Sequence, residues 1–148
     1  MKKNIAIFCI IFWAGLIAGI SFLEAPLKFQ APGITIPLGL GIGKLVFQAL
    51  NKIEVALLAT ILFCTFSPKI DNLSRTLLVI LVYLMVADTL WLLPLLDKRA
   101  TLLLTGNPAP ESHHHILYII IEIIKFLSLV ALGFTQLNKL SYENRYRK

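Results

Sequence analysis

The chain has 148 residues, room for one domain; 57% of them are hydrophobic and 15% charged, and the mean hydropathy is +0.80. A soluble domain carries about 25% charged residues, so a fully water-facing shell is excluded, and the same numbers exclude a disordered chain. The net charge of +6 comes from basic residues gathered at the termini and between apolar runs, which encodes membrane topology rather than a nucleic-acid surface.

A bilayer crossing needs about 20 mostly apolar residues, and four runs provide it, at about residues 4–22, 46–66, 76–96 and 113–137. The first follows Lys2 and Lys3 and so resembles a signal peptide. No small-x-small cleavage site follows it, and Pro26 spoils cutting after Ala25, so it reads as a retained span. The second run ends at Ser67-Pro68 and the third at Asp97-Lys98-Arg99. The fourth begins after Ser112, an N-cap following Pro108 and Pro110. Neither a strand pattern nor an internal repeat is present. The expected fold is all-α, an integral membrane four-helix bundle, with residues 1–148 as one domain and 138–148 as its basic tail.

Lys and Arg counts orient the bundle. Lys2, Lys3, Lys69, Arg75, Lys139, Arg145, Arg147 and Lys148 fall on one side, and Lys28, Lys44, Lys98 and Arg99 on the other. The richer side is cytoplasmic, so both termini are expected there, in a multi-pass protein of the cell inner membrane. The basic tail would then lie beside anionic lipid. Residues 23–45 form a long exoplasmic connection carrying Pro26, Pro32 and Pro37, yet apolar at Phe29, Ile34, Ile36, Leu38 and Leu40. Such a segment is expected at the interface, or folded back over the helix ends as a lid. Residues 97–111 read as an ordinary surface loop.

Depth singles out the polar residues. Past Glu54 the second run stays apolar only through Phe66, 12 residues or about 18 Å at 1.5 Å each, against a hydrocarbon thickness of about 30 Å. Glu54, with Asn51 and Gln48, must therefore lie below the exoplasmic surface. The 13 residues from Phe126 to Asn138 likewise push Glu122 and Lys125 inside. Asp88 lies within the third run, and Glu24 closes the first. Each span thus contributes one carboxylate to the outer half.

At 100° per residue, His115, Tyr118, Glu122 and Lys125 share an arc of about 80°, and Lys44, Gln48, Asn51 and Glu54 one of about 120°. Intramembrane ionisable groups face a bundle interior and pair there, so the two stripes are expected to face each other beneath the proline-rich connection. The candidate pocket residues are Glu24, Lys28, Gln48, Asn51, Glu54, Asp88, His115, Tyr118, Glu122 and Lys125.

Three chemistries fit. Lys125 and Lys44 could neutralise Glu122 and Glu54 as register-fixing ion pairs. The pocket could bind or move a proton, cation or small polar solute. A membrane-embedded enzyme could use His115 as acid or base on a lipid or quinone. Glu54, Asp88, His115 and Glu122 are the candidate metal ligands, although neither Glu54 nor Glu122 begins the Glu-x-x-His pair of di-iron bundles. Of His113-His114-His115, His115 best faces inward. The residues name no cofactor.

Gly39, Gly41, Gly43 and Lys44 mimic a phosphate loop, but neither a preceding strand nor a following Ser or Thr supports it. The GxxxG pairs Gly15/Gly19 and Gly39/Gly43 read as close helix packing. Trp13 is expected in the core, Trp91 and Tyr83 in packing or the aromatic belt, and Cys9 and Cys64 as space-filling thiols. Besides the lipid bilayer, a homodimer or a larger membrane complex is compatible, with this chain as an accessory subunit; nucleic acid is not.

The residues Glu24-Ala-Pro26-Leu-Lys28-Phe29-Gln-Ala-Pro32, Phe47 and Asn51-x-x-Glu54 resemble small bacterial four-span proteins of unknown function. Leu92-Leu-Pro94-Leu-Leu-Asp97-Lys-Arg99 and Ser112-x-x-His115-x-x-Tyr118-x-x-x-Glu122-x-x-Lys125 fit the same group. They are loosely similar to the transmembrane-protein-205-like domain-of-unknown-function family. The resemblance implies a compact four-helix integral membrane protein and supplies no activity.

Overall fold

The computed structural model describes residues 1–65, 70–108 and 113–146, which are helical apart from short turns and contain no strand. Four helices are long and apolar enough to cross a membrane: α1 (Lys2–Gln30), α2 (Ile36–Thr65), α3 (Asn72–Leu104) and α4 (His114–Tyr146). Each packs on its neighbours in sequence and α4 closes the ring on α1. One end of the bundle, here the upper, gathers Gln30, Ile36, Leu104 and His114. The outer faces are apolar, with Phe8, Phe63, Val79, Leu90 and Phe134 all more than half exposed. An apolar exterior of that extent suits lipid and not water.

The helices are longer than the apolar runs that announce them. Residues 23–30 complete α1 and 36–45 begin α2, so the proline-rich stretch is helical except at 31–35. Its prolines are compatible with helix because of where they fall. Pro37 is the second residue of α2, where no intrahelical donor is needed, and Thr35 caps that start by accepting from the Leu38 N–H at 3.3 Å. Gly33 turns the chain at φ +82°, a backbone conformation glycine adopts without steric cost. Residues 97–104, expected in a loop, instead extend α3, and α4 runs without a break through 138–146. The Ser112 cap, Pro110 and the Ser67-Pro68-Lys69 stop lie outside the described residues.

Pro26 and Pro94 act differently. Each lacks an N–H and crowds the carbonyl four residues back, and each is preceded by a widened π turn, Ile17–Glu24 in α1 and Asp88–Leu92 in α3. The Ala25 N–H reaches back to the Ile20 carbonyl, and the Leu93 N–H to the Asp88 carbonyl. Both bonds span five residues and stop one residue short of the proline.

Two apolar clusters fill the interior. The lower contains Ile10, Trp13, Ile61, Leu81, Leu129 and Leu132; the upper contains Leu84, Leu92, Leu93, Tyr118 and Ile121. Between Ile121 and Leu129 on α4 come Glu122 and Lys125, a charged layer inside the apolar stack. At the lower end Asp71 caps α3 by accepting from the Ser74 N–H at 3.1 Å and pairs with Lys139 of α4. The Lys139 hydrogen bond is the main reason that the Asp71 carboxyl is held well below the usual carboxylate range.

The glycine pairs differ from expectation. An added Cβ at Gly15 or Gly19 would meet nothing within 4 Å, so that face of α1 has no partner among the described residues. Gly39 and Gly43 do permit close approach, but what approaches is the Phe29 ring and the Lys28 ammonium. Trp13 is fully buried, whereas Trp91 and Tyr83 are exposed on the outer surface, and both cysteines are free thiols.

Candidate functional site

Lys125 is the hub of the charged layer, with no exposed surface. Its Nζ lies 3.0 Å from Glu54 Oε2 on α2 and 2.7 Å from Asp88 Oδ2 on α3. It also contacts Glu122 Oε1, three residues earlier on α4. An ammonium offers three protons, and three carboxylates surround this one. Isolated charges in such a place cost several kcal/mol each, so the four are energetically bound to one another.

The remaining oxygens are treated unequally. Trp13 Nε1 donates to Glu54 Oε1 at 2.7 Å, so both Glu54 oxygens accept from nitrogen donors that cannot themselves accept. Glu54 is thereby fixed as the partner of Lys125 and Trp13. Ser21 Oγ donates to Glu122 Oε2 at 2.8 Å. Asp88 Oδ1 and Glu122 Oε1, by contrast, receive no aligned hydrogen bond from any described residue. Each of these two carboxyls places an oxygen within 4.8 Å of the other.

Both π turns serve this layer. Ser21 belongs to the first and Asp88 opens the second, and Thr89 of the second accepts from Asn51 Nδ2 at 3.0 Å. Widened turns inside helices frequently mark functional sites. The polar side chains that they carry into the bundle are Ser21, bonded to Glu122, and Asp88, bonded to Lys125.

Above the layer is a cavity of about 640 Å³. Ser21, Tyr118 and Glu122 line its floor, and Lys28, Lys44, Arg99 and His115 line its upper part. Tyr118, 4% exposed, leans on Phe47 with ring centroids 5.1 Å apart. Glu122 therefore belongs to both the cavity and the charged layer.

Of the candidates from the sequence, Glu54, Asp88, Glu122 and Lys125 come together, and Tyr118 and His115 join them through the cavity. Glu24 does not join; it pairs with Lys28 of its own helix at 3.3 Å. Lys44 does not neutralise Glu54 and donates instead to Thr101 Oγ1 at 2.9 Å. Nor do the two polar stripes simply face each other: Gln48 bonds Asp97 and Asn51 bonds Thr89, both on α3, and among the described residues it is Glu54 that bonds α4, through Lys125. Trp13, Ser21 and Thr89 escaped the sequence reading. A buried Trp needs an acceptor for its N–H, which was the available signal for Trp13.

Glu54, Asp88 and Glu122 each offer an oxygen within 4.8 Å of the others, a donor set that suits a hard cation. His115 is not part of that group. Because the Lys125 ammonium already sits among the three oxygens, a metal ion would have to displace it. Comparison with family models, curated proteins and solved structures finds no match for this chain.

Proposed function

We propose that this is a multi-pass protein of the cell inner membrane, with both termini cytoplasmic, whose intramembrane carboxylate–lysine cluster binds and passes a proton, a cation or a small polar solute, the proton first among them. On this reading the cavity opens toward the exoplasmic side, beneath the proline-bearing segment between α1 and α2, and Glu122 is the group through which the cluster is reached.

The observation that carries the reading is the unequal charge. Three carboxylates share one ammonium; among the described residues Asp88 Oδ1 has no hydrogen-bond donor, and the neighbouring Glu122 Oε1 has only its contact with that same shared ammonium. Two like charges sharing a buried site are relieved when one of them takes up a proton. A proton between Asp88 and Glu122 supplies the missing donor and removes one surplus charge, leaving Glu54 and Lys125 as a neutral pair. A purely structural ion pair needs one carboxylate for one lysine and gives no reason for two more.

The test is proton movement in vesicles reconstituted with the purified protein and loaded with a pH-reporting dye, under an imposed pH gradient. Wild type is expected to dissipate the gradient and folded Glu122→Gln to fail. Equal dissipation by the two, or none by either above protein-free vesicles, would remove the reading.

A second reading, a homodimer or a subunit of a larger membrane complex, is favoured by the bare Gly15/Gly19 face and by Lys52, exposed on the outside of α2. Cysteine crosslinking from Gly19→Cys in native membranes tests it.

A further inference from the structure

The cavity above the cluster has a chemistry of its own. A volume of about 640 Å³ falls within the ~300–1,000 Å³ typical of small-molecule sites. Its middle is walled by aromatic and aliphatic side chains, among them Phe22, Phe47, Leu93 and Ile119, while cationic Lys28, Lys44 and Arg99 lie toward the helix ends. Of its two acidic side chains, Asp97 already accepts from Gln48 and Glu122 is engaged by Ser21 and Lys125.

Lys28 is the most informative of these. Its side chain is 9% exposed, and its ammonium stands 5.0 Å over the Phe47 ring and against Gly43, where an added Cβ would lie 3.0 Å away. The absence of a side chain at residue 43 thus makes room for a positive charge inside a largely apolar chamber. Its described counter-ion, Glu24, is 3.3 Å away and itself 35% exposed, a loose pairing for a buried ammonium, since charge-assisted bonds run near 2.7–2.9 Å. Among the described residues, the Lys44 ammonium donates to a neutral hydroxyl, that of Thr101.

We infer that the cavity binds an amphiphilic organic anion, with its apolar body among the aromatic and aliphatic walls and its carboxylate or phosphate head on Lys28. The lining supplies both halves of that recognition. The apolar walls hold hydrocarbon that a bilayer makes available, and the buried, loosely paired Lys28 ammonium selects a negative head over a neutral one. The inference is independent of proton binding at Asp88 and Glu122, because it depends on the lining and on Lys28 and not on the protonation of the cluster.

The test uses the full-length protein in nanodiscs of zwitterionic lipid with three photoactivatable probes: a long-chain fatty acid, a lysophosphatidic acid and the uncharged alcohol of the same chain. Crosslinked residues are located by mass spectrometry. Adducts are expected on cavity residues such as Leu40, Leu93 and Ile119, with labelling by an anionic probe at least about tenfold above the alcohol. Fatty acid alone labelling would identify a free carboxylate head, and lysophosphatidic acid alone a lipid phosphate. Lys28→Gln should lower anionic labelling by about tenfold, while Lys98→Gln, outside the lining, should leave it unchanged. Ala100→Phe, which fills the cavity, should abolish it and offers a second route if Lys28→Gln does not fold. Equal labelling by acid and alcohol, adducts outside the cavity, or full labelling of folded Ala100→Phe would overturn the inference.

Discussion

Replacing Lys125 by Met tests whether one ammonium holds the interior together. Met keeps most of the length and volume of the side chain, so packing changes little, but the charge that faces three carboxylates on three helices is gone. Removing one partner of a buried ion pair costs about 3–5 kcal/mol, and here the partners left behind are Glu54 at 3.0 Å, Asp88 at 2.7 Å and Glu122 in contact. For a chain of this length that corresponds to a fall in Tm on the order of 10 °C. Thermal unfolding of the detergent-solubilised protein, followed by loss of monodisperse material on gel filtration, measures it. The deficit should shrink as pH falls, because a carboxylate that has gained a proton no longer needs the ammonium. Replacing the cluster as a whole, with Lys125→Met joined by Glu54→Leu, Asp88→Leu and Glu122→Leu, should recover much of the loss, as buried ion clusters exchanged for apolar groups commonly do. A Lys125→Met protein as stable as wild type from acid to neutral pH would refute the reasoning.

Other substitutions separate the members of the cluster. Glu54→Gln places an amide N–H against the Trp13 or Lys125 donor and should cost about 1–3 kcal/mol, whereas Glu122→Gln removes surplus negative charge and should change unfolding by less than about 1 kcal/mol; parallel melts would show the two costs. At the lower end, Asp71→Asn keeps the cap on α3 but loses the Lys139 pair, and Asp71→Ala loses both. Because that pair is about 40% exposed, Asn should be nearly neutral and Ala should cost about 1 kcal/mol. The folded-state value of Asp71 is depressed, so its stabilisation is full above the unfolded value near ~4 and disappears as pH falls through the folded one. The gap between wild type and Asp71→Ala should therefore persist at neutral pH and close in strong acid. Should the gap widen on acidification, the sign is wrong.

Four helices long and apolar enough to cross a membrane, and the burial of Glu54, Asp88, Glu122 and Lys125, were legible from length: too few apolar residues flank these charges for the runs to span a bilayer without them. Partners were less legible. Trp13 and Ser21 sit in an apolar helix whose pattern is nearly uniform all round, so periodicity could not say which face meets Glu54 or Glu122. Lys44 falls on the Glu54 stripe by angle, yet it lies ten residues earlier, about 15 Å along the axis, and bonds Thr101 near the upper end. The prolines misled in another way. Pro26, Pro32 and Pro37 read as a loop, but Pro37 occupies a helix start and Pro26 is absorbed by a π turn. That turn type arises from the conflict between a missing N–H and a helix held in place by its neighbours, which is a property of the packed bundle and not of local sequence.

The central claim, that Asp88 and Glu122 hold an exchangeable proton between them, is tested most directly by infrared difference spectroscopy of the protein in lipid, reading the carbonyl stretch of protonated carboxyl groups through a pH titration in light and heavy water. The account predicts a protonated carboxyl in wild type at neutral pH, sensitive to deuterium, lost on deprotonation and altered by both Asp88→Asn and Glu122→Gln but retained in Lys98→Gln. Three fully ionised carboxylates at neutral pH, or a protonated signal unaffected by either cluster substitution, would contradict it.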